Sequence, residues 1–265
     1  MKDAILSRMP ASHPWRGSIY YHDTIGSTNT EAKRLAAAGV PEGTVVIAGH
    51  QTMGRGRLGR HFDSPPGMGV YLSVILRPNC PPAQLMHLTC AMAVATCDAI
   101  QNATGFRPGI KWINDLVAGS RKLAGILTEL SVSPTTGLVD YAIVGIGIDR
   151  AQRSEDFPPE LRQIACSLAM ATGTAPDTAA LTAAVIQSVH LISIQLPQRT
   201  AIMDRYRQDL VTLERPITVI RGDARRDGTA VSVEDDGSLI VRYDDGPIEA
   251  VNSGEVSVRG LFGYV

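Results

Sequence analysis

The chain has 265 residues with 25 Lys and Arg against 26 Asp and Glu, a formal net charge of −1. That length suits one large domain, or one large and one small, with ample material for a core. Near-neutrality argues against a general nucleic-acid binder, which carries a marked positive excess.

Residues 1–14 lack an apolar core of signal-peptide length, and no stretch approaches the roughly 18 to 20 apolar residues of a membrane span. Cys80, Cys90, Cys97 and Cys166 form no Cys-x-x-Cys pair, and the six histidines show no metal-ligand spacing. The expectation is a soluble, cytoplasmic protein with reduced thiols, no membrane partner and no protein-held metal.

After an irregular start, Ile19 to Tyr21 reads as a strand. Thr28 and Glu31 have the spacing of a capping box, followed by a helix from Glu31 to Ala38 that Gly39 stops. Thr44 to Ala48 and Met68 to Leu76 are β-branched runs on either side of a Gly/Arg-rich loop. Ala83 to Ala103 repeats apolar residues at helical spacing, with Cys90 and Cys97 as small core residues. Ile110 to Val117 reads as a strand running into a turn, and Leu123 to Leu130 as another. The chain then turns at Pro134 to Gly137 and returns through Val139 to Ile148.

Arg150 to Pro176 is irregular or short-helical, and Thr178 to Leu196 and Ala201 to Leu213 are helices. Beyond a linker near 213–216 come five short strands: Ile217 to Arg221, Thr229 to Val233, Leu239 to Tyr243, Ile248 to Val251 and Val256 to Arg259. Asp-Asp-Gly turns at 235–237 and 244–246 punctuate them, the pattern of a small barrel. The division is therefore residues 1–213 and 214–265.

The chemistry concentrates in Gly49 to Gly69. Arg55, Arg57 and Arg60 alternate with Gly54, Gly56 and Gly59, which let backbone approach a ligand closely. Such a run also fits a solvated loop or a nucleic-acid contact. Suspension between two core strands favours a site. With Lys122, the three arginines could neutralise a nucleotide phosphate and a carboxylate together, which suits carboxylate activation by ATP. Trp112 reads first as a half-buried core ring, and Asn114-Asp115 as a turn pair. Val144-Gly145-Ile146-Gly147-Ile148 falls short of a dinucleotide fingerprint.

Three segments in register carry a resemblance. Gln51 to Arg60, with Ser64-Pro65 and Tyr71-Leu72-Ser73, resembles the biotin- and ATP-binding loop of biotin protein ligases. Lys111-Trp112-Ile113-Asn114-Asp115 is similar to the family's Lys-Trp-Pro-Asn-Asp motif, and Lys122 to Glu129 to the segment with its catalytic lysine. Ser27-Thr28-Asn29 and Val144 to Ile148 agree in order.

The resemblance implies an α+β fold: a mixed sheet flanked by helices, like class II aminoacyl-tRNA synthetases, with a small SH3-like barrel behind it. By matching position, Ser27, Thr28 and Gln51 hold the ureido ring of biotin. Gly54, Arg55, Arg57, Gly125, Leu127 and Gly145 complete the biotin pocket. Arg57, Arg60, Phe62, Lys111, Trp112, Asn114, Lys122 and Asp149 meet ATP. Lys122, with Arg57 and Asp115, is implied to be catalytic, and Asp115 to position the acceptor lysine or Mg²⁺. The implied substrates are biotin and ATP, the acceptor a biotin carboxyl carrier protein, and a homodimer through a sheet edge follows by analogy.

Three positions depart from the family. Ile113 replaces proline, and Phe62 stands where tryptophan is common. Asp149 replaces the usual asparagine near the adenine. An ionised carboxylate there adds negative charge beside the phosphates, so Asp149→Asn is expected to tighten ATP binding. Only about eighteen residues precede Ile19, which points to members of the family without a DNA-binding domain. Alternatives are a lipoate or octanoate enzyme of the same fold and a non-catalytic biotin or nucleotide sensor.

Overall fold

The computed structural model describes residues 1–252 and 256–260. In chain order the elements are α1 (Lys2–Ser7), β1 (Ile19–His22), α2 (Thr28–Ala37), β2 (Val45–Ala48), β3 (Gly69–Leu76) and α3 (Leu88–Thr104). Then come β4 (Gly109–Lys111), β5 (Asp115–Ala118), β6 (Arg121–Val132), β7 (Val139–Asp149), α4 (Leu168–Thr172), α5 (Thr178–Gln195) and α6 (Arg199–Asp209). The chain ends in β8 (Pro216–Arg221), β9 (Ala224–Val233), β10 (Leu239–Tyr243), β11 (Ile248–Val251) and β12 (Val256–Gly260).

The larger sheet has the order β1-β2-β3-β7-β6-β5-β4. β1 and β2 run parallel and every other pair antiparallel, so the sheet is mixed. β3 is buried along its whole length because both faces of the sheet are covered. On alternate positions Val70, Leu72, Val74 and Leu76 join the main core, while Ile75 packs with Ala32, Leu35 and Ala36 of α2. α3 and α5 pack together in the main core.

Several expectations are corrected. α2 begins at Thr28 with extended Ser27 as its cap, and no capping box forms. The Thr28 hydroxyl is used by Gln51 instead, and Glu31 pairs with Arg34. Pro82–Thr104, which ends in α3, and α5 are long and apolar enough on average to cross a membrane, by length and composition only. Of the most apolar windows, 72% and 50% are buried within the fold. The start, read as irregular, forms the short helix α1, whereas the short helix α4 fits the irregular or short-helical reading of 150–176.

The small barrel expected at the carboxyl end is a five-stranded antiparallel sheet ordered β11-β10-β9-β8-β12. The approach to it is no loose linker. α6 stops at Asp209, the Val211 amide donates to the Ile110 carbonyl at 2.8 Å, and the Glu214 amide donates to that of Ala230 at 2.8 Å. Ile217, Val219, Val241 and Val251 of the small sheet belong to the same apolar cluster as the main core.

Candidate active site

A cavity of about 410 Å³ opens where the start of α2, the Gly/Arg loop and β5, β6 and β7 converge. The start of α2 supplies a polar end. The Thr28 amide and hydroxyl both donate to Gln51 Oε1, at 2.9 and 3.0 Å, and Gln51 Nε2 donates to Ser64 Oγ at 3.0 Å. These groups are buried, so their mutual bonds satisfy them and fix where each points. Asn29 lies against Gly145. A Cβ there would sit 2.0 Å from Asn29 Oδ1, so only glycine admits the asparagine.

The opposite end is cationic. Arg55, Arg57, Arg60, Lys111 and Lys122 line the cavity, against one carboxylate, Asp115, among the described lining residues. That imbalance favours an anionic ligand. Lys122 Nζ lies 2.7 Å from Asp115 Oδ1, both side chains being largely shielded. Arg57 Nη1 donates to Asn114 Oδ1 at 3.0 Å, which draws the loop across the cavity. Burial pulls the Arg57 guanidinium below its usual value, and the charge of Asp115 opposes that.

Phe62 lies across β7 at Gly147, where a Cβ would come within 2.6 Å of the ring. Lys122 Nζ stands 5.9 Å from its centroid, and Tyr71 meets it edge-on at 6.4 Å. β4 and β5 form a hairpin in which Lys111 pairs with Asp115, placing Trp112, Ile113 and Asn114 in the turn. Trp112 is buried as expected of a core ring. Its Nε1 donates to the Gly237 carbonyl at 2.9 Å and its amide to Thr212 Oγ1 at 2.8 Å, tying the turn to the small sheet.

Of the residues singled out by sequence, Ser27, Thr28, Gln51, Arg55, Arg57, Arg60, Phe62, Lys111, Trp112, Asn114, Asp115, Lys122, Gly125, Leu127 and Gly145 line this cavity. Two do not. Gly54 sits behind the wall, its carbonyl accepting from the Phe62 amide at 3.0 Å. Asp149 is also behind it, accepting from Gln152 Nε2 at 2.6 Å. Burial pushes its carboxyl up to about 8, against the pull of Lys122 and Gln152. Burial thus favours the protonated acid at neutral pH, which weakens the negative charge expected of this position.

The sequence reading missed the strap over Lys122. The Lys122 amide donates to the Ile164 carbonyl and its carbonyl accepts from the Cys166 amide, both at 2.7 Å. Ile164 also lines the cavity, as does Val258 of the small sheet. Nothing in the irregular 150–176 segment marks that contact.

The comparisons agree with this geometry. Residues 21–149 match the model of the biotin/lipoate A/B protein ligase family, and residues 212–259 that of the biotin protein ligase C terminal domain. The bifunctional ligase/repressor BirA of Bacillus subtilis is 35% identical over 247 residues, covering 91% of this chain and 74% of that one. The biotin–[acetyl-CoA-carboxylase] ligase of Mycobacterium tuberculosis is 31% identical over 241 residues, covering 87% and 85%. The biotin protein ligase from Aquifex aeolicus, solved in complex with biotin and ATP, superposes with a TM-score of 0.77 at 27% identity over 92% and 99% of the two chains. On these grounds the chain belongs to the biotin protein ligase family.

Proposed function

We propose that this protein activates biotin with ATP to biotinyl-5'-AMP and transfers the biotinyl group to one lysine of a biotin carboxyl carrier protein. The observation that carries the reading is the polarity of this cavity. Buried hydrogen-bonding groups of Thr28 and Gln51 stand at one end and the cations at the other. A ureido ring needs both donors and acceptors, whereas a carboxylate meeting a triphosphate needs positive charge.

In the first step the biotin carboxylate attacks the α-phosphorus, the bond to the β-phosphate oxygen breaks, and pyrophosphate leaves. Lys122 supplies charge to both anions, and Arg57 and Arg60 to the phosphates, so the repulsion between reactants is offset before they meet. Displacing Asp115 from Lys122 frees that carboxylate to receive a proton from the acceptor lysine. The lysine nitrogen then attacks the acyl carbon and AMP leaves. Asp115 alone is too small a donor set for a protein cage, but together with the nucleotide phosphates it would hold a Mg²⁺ ion, which would offset phosphate charge. A homodimer through a sheet edge is the accompanying proposal, read by sedimentation equilibrium.

The rival lipoate or octanoate transferase chemistry calls for a nucleophilic cysteine. Cys90 and Cys97 are fully buried in α3, with burial pushing the Cys90 thiol up to about 12, and no cysteine lines the cavity among the described residues. Lys122→Met distinguishes a ligase from a sensor. Transfer to a carrier domain, followed by intact-protein mass spectrometry, falls more than about a hundredfold if the lysine stabilises the transition state. An unchanged rate refutes that role.

A further inference from the structure

A carboxylate outside the cavity joins the separate parts of its wall. Glu129 stands on β6, seven residues beyond Lys122 in sequence. Asn29 Nδ2 donates to its Oε2 at 2.9 Å and Lys33 Nζ to its Oε1 at 2.6 Å, both from α2. From the Gly/Arg loop, Arg55 Nη1 donates to its Oε2 and Arg55 Nη2 forms an ion pair with its Oε1, each at 3.2 Å. The Glu129 side chain is 17% exposed, so this is a shielded node in which β6, α2 and the loop share one anion.

The node has a second arm. Asn29 Nδ2 must face Glu129, which turns its Oδ1 toward Ser73, whose hydroxyl lies 2.6 Å away and 2.8 Å from Thr28 Oγ1. Thr28 donates to Gln51, Gln51 to Ser64, and Ser64 Oγ donates to the Phe62 carbonyl at 3.0 Å. One hydrogen-bonded path therefore runs from Arg55, at the entry of the loop, through Glu129 and the polar end of the cavity to Phe62 at its exit. Between them the loop is a narrow hairpin, with the Arg55–His61 bridge at its base, the Gly56 amide on the Arg60 carbonyl at 2.8 Å and the Arg60 amide on that of Arg57 at 3.2 Å, and Leu58 and Gly59 take positive φ at its tip.

We propose that Glu129 is a positioning residue for biotin: it latches the Arg55 end of the loop to α2 and orients Asn29, so that the loop seals the cavity once biotin occupies the polar end. The inference rests on the ligase reading. Glu129 does not line the cavity itself and acts through Arg55 and Asn29.

Glu129→Gln is nearly isosteric and keeps an acceptor for Asn29 while removing the charge that holds Arg55 and Lys33. Arg55→Met cuts the same latch from a partly exposed position. Both variants and their combination are compared with the parent for biotin KM, kcat, AMP released per biotin transferred, and tryptic cleavage in the loop with biotin saturating. Glu129→Gln should raise biotin KM about fivefold, the scale of one partly exposed ion pair, with kcat within about twofold, and Arg55→Met, which also removes a cavity-lining cation, should raise KM at least as much. Wasted AMP and loop cleavage should rise together, and the double variant should be no worse than Arg55→Met alone, since one latch is lost once. Strict additivity, or Glu129→Gln indistinguishable from the parent in KM and cleavage, overturns the proposal. Should Glu129→Gln fail to fold, Glu129→Asp, which keeps the charge but shortens its reach to Arg55, decides by the same KM and cleavage readouts. Failure of the parent to turn over biotin would instead strike the ligase reading, and the cleavage arm would still judge the latch.

Discussion

β6 and the Gly/Arg loop face each other across the cavity and are built in opposite ways. β6 is paired with β5 on one side and β7 on the other, and the backbone of Lys122 is strapped by Ile164 and Cys166. The loop is a narrow hairpin whose arms are joined by the Phe62 amide on the Gly54 carbonyl and the Arg55–His61 bridge, and its tip is held to the facing wall through side chains, Arg55 to Glu129 and Arg57 to Asn114. The chemical group thus rides on the element least able to move, and the cover on the element that moves most cheaply. A mixed anhydride hydrolyses readily, so this division lets one wall align reactants while the other excludes water.

The severest way to break that comparison is to disturb the rigid side. Gly145→Val on β7 drives carbon into Asn29, whose Oδ1 lies 2.0 Å from the Cβ position. Buried between α2 and the sheet, the asparagine has nowhere to retreat. Biotin affinity by calorimetry should fall more than about a hundredfold, together with a lowered Tm. Retained affinity would show that the wall is softer than its pairing suggests.

A change on the pliable side should act differently. Gly59 has φ +72° with nothing near its Cβ position, so Gly59→Pro meets a backbone conflict and no steric one. Tm should move by less than a few degrees, whereas AMP released per biotin transferred should rise at least about threefold. An unchanged ratio would mean that the tip has no part in shielding the adenylate.

The smallest effect sharpens the account of Asp149. Its folded carboxyl holds a proton up to about pH 8, far above the unfolded value. The native state therefore binds the proton more tightly, and stability falls as pH rises from the unfolded pKa through about 8. Asp149→Asn, which can still accept from Gln152, removes that loss. The Tm advantage of the variant should widen from pH 5 to pH 9, with ATP affinity at pH 7 nearly unchanged. A constant Tm difference across that range would show that the buried acid is ionised throughout.

Much of the fold and the cavity was legible in the sequence because its signals are local. Alternating β-branched runs mark the strands around the loop, and the motif residues sit on strand ends and turns that fold places together. Spacing misled at Thr28, where a long-range bond to Gln51 outcompetes the capping box. Glu129 could not be read as a node, since Lys33, Asn29 and Arg55 lie 96, 100 and 74 residues away in the chain. Asp149 shows the same limit in electrostatics: its residue type suggests a charge, and only its burial shows why the carboxyl is pushed toward the protonated form.

The most direct test of the central claim is exchange of labelled pyrophosphate into ATP by the purified protein, with biotin, lipoate and octanoate supplied in turn. Biotin should support exchange, while lipoate and octanoate should not. Exchange with lipoate or octanoate but not with biotin would contradict the assignment of the cavity.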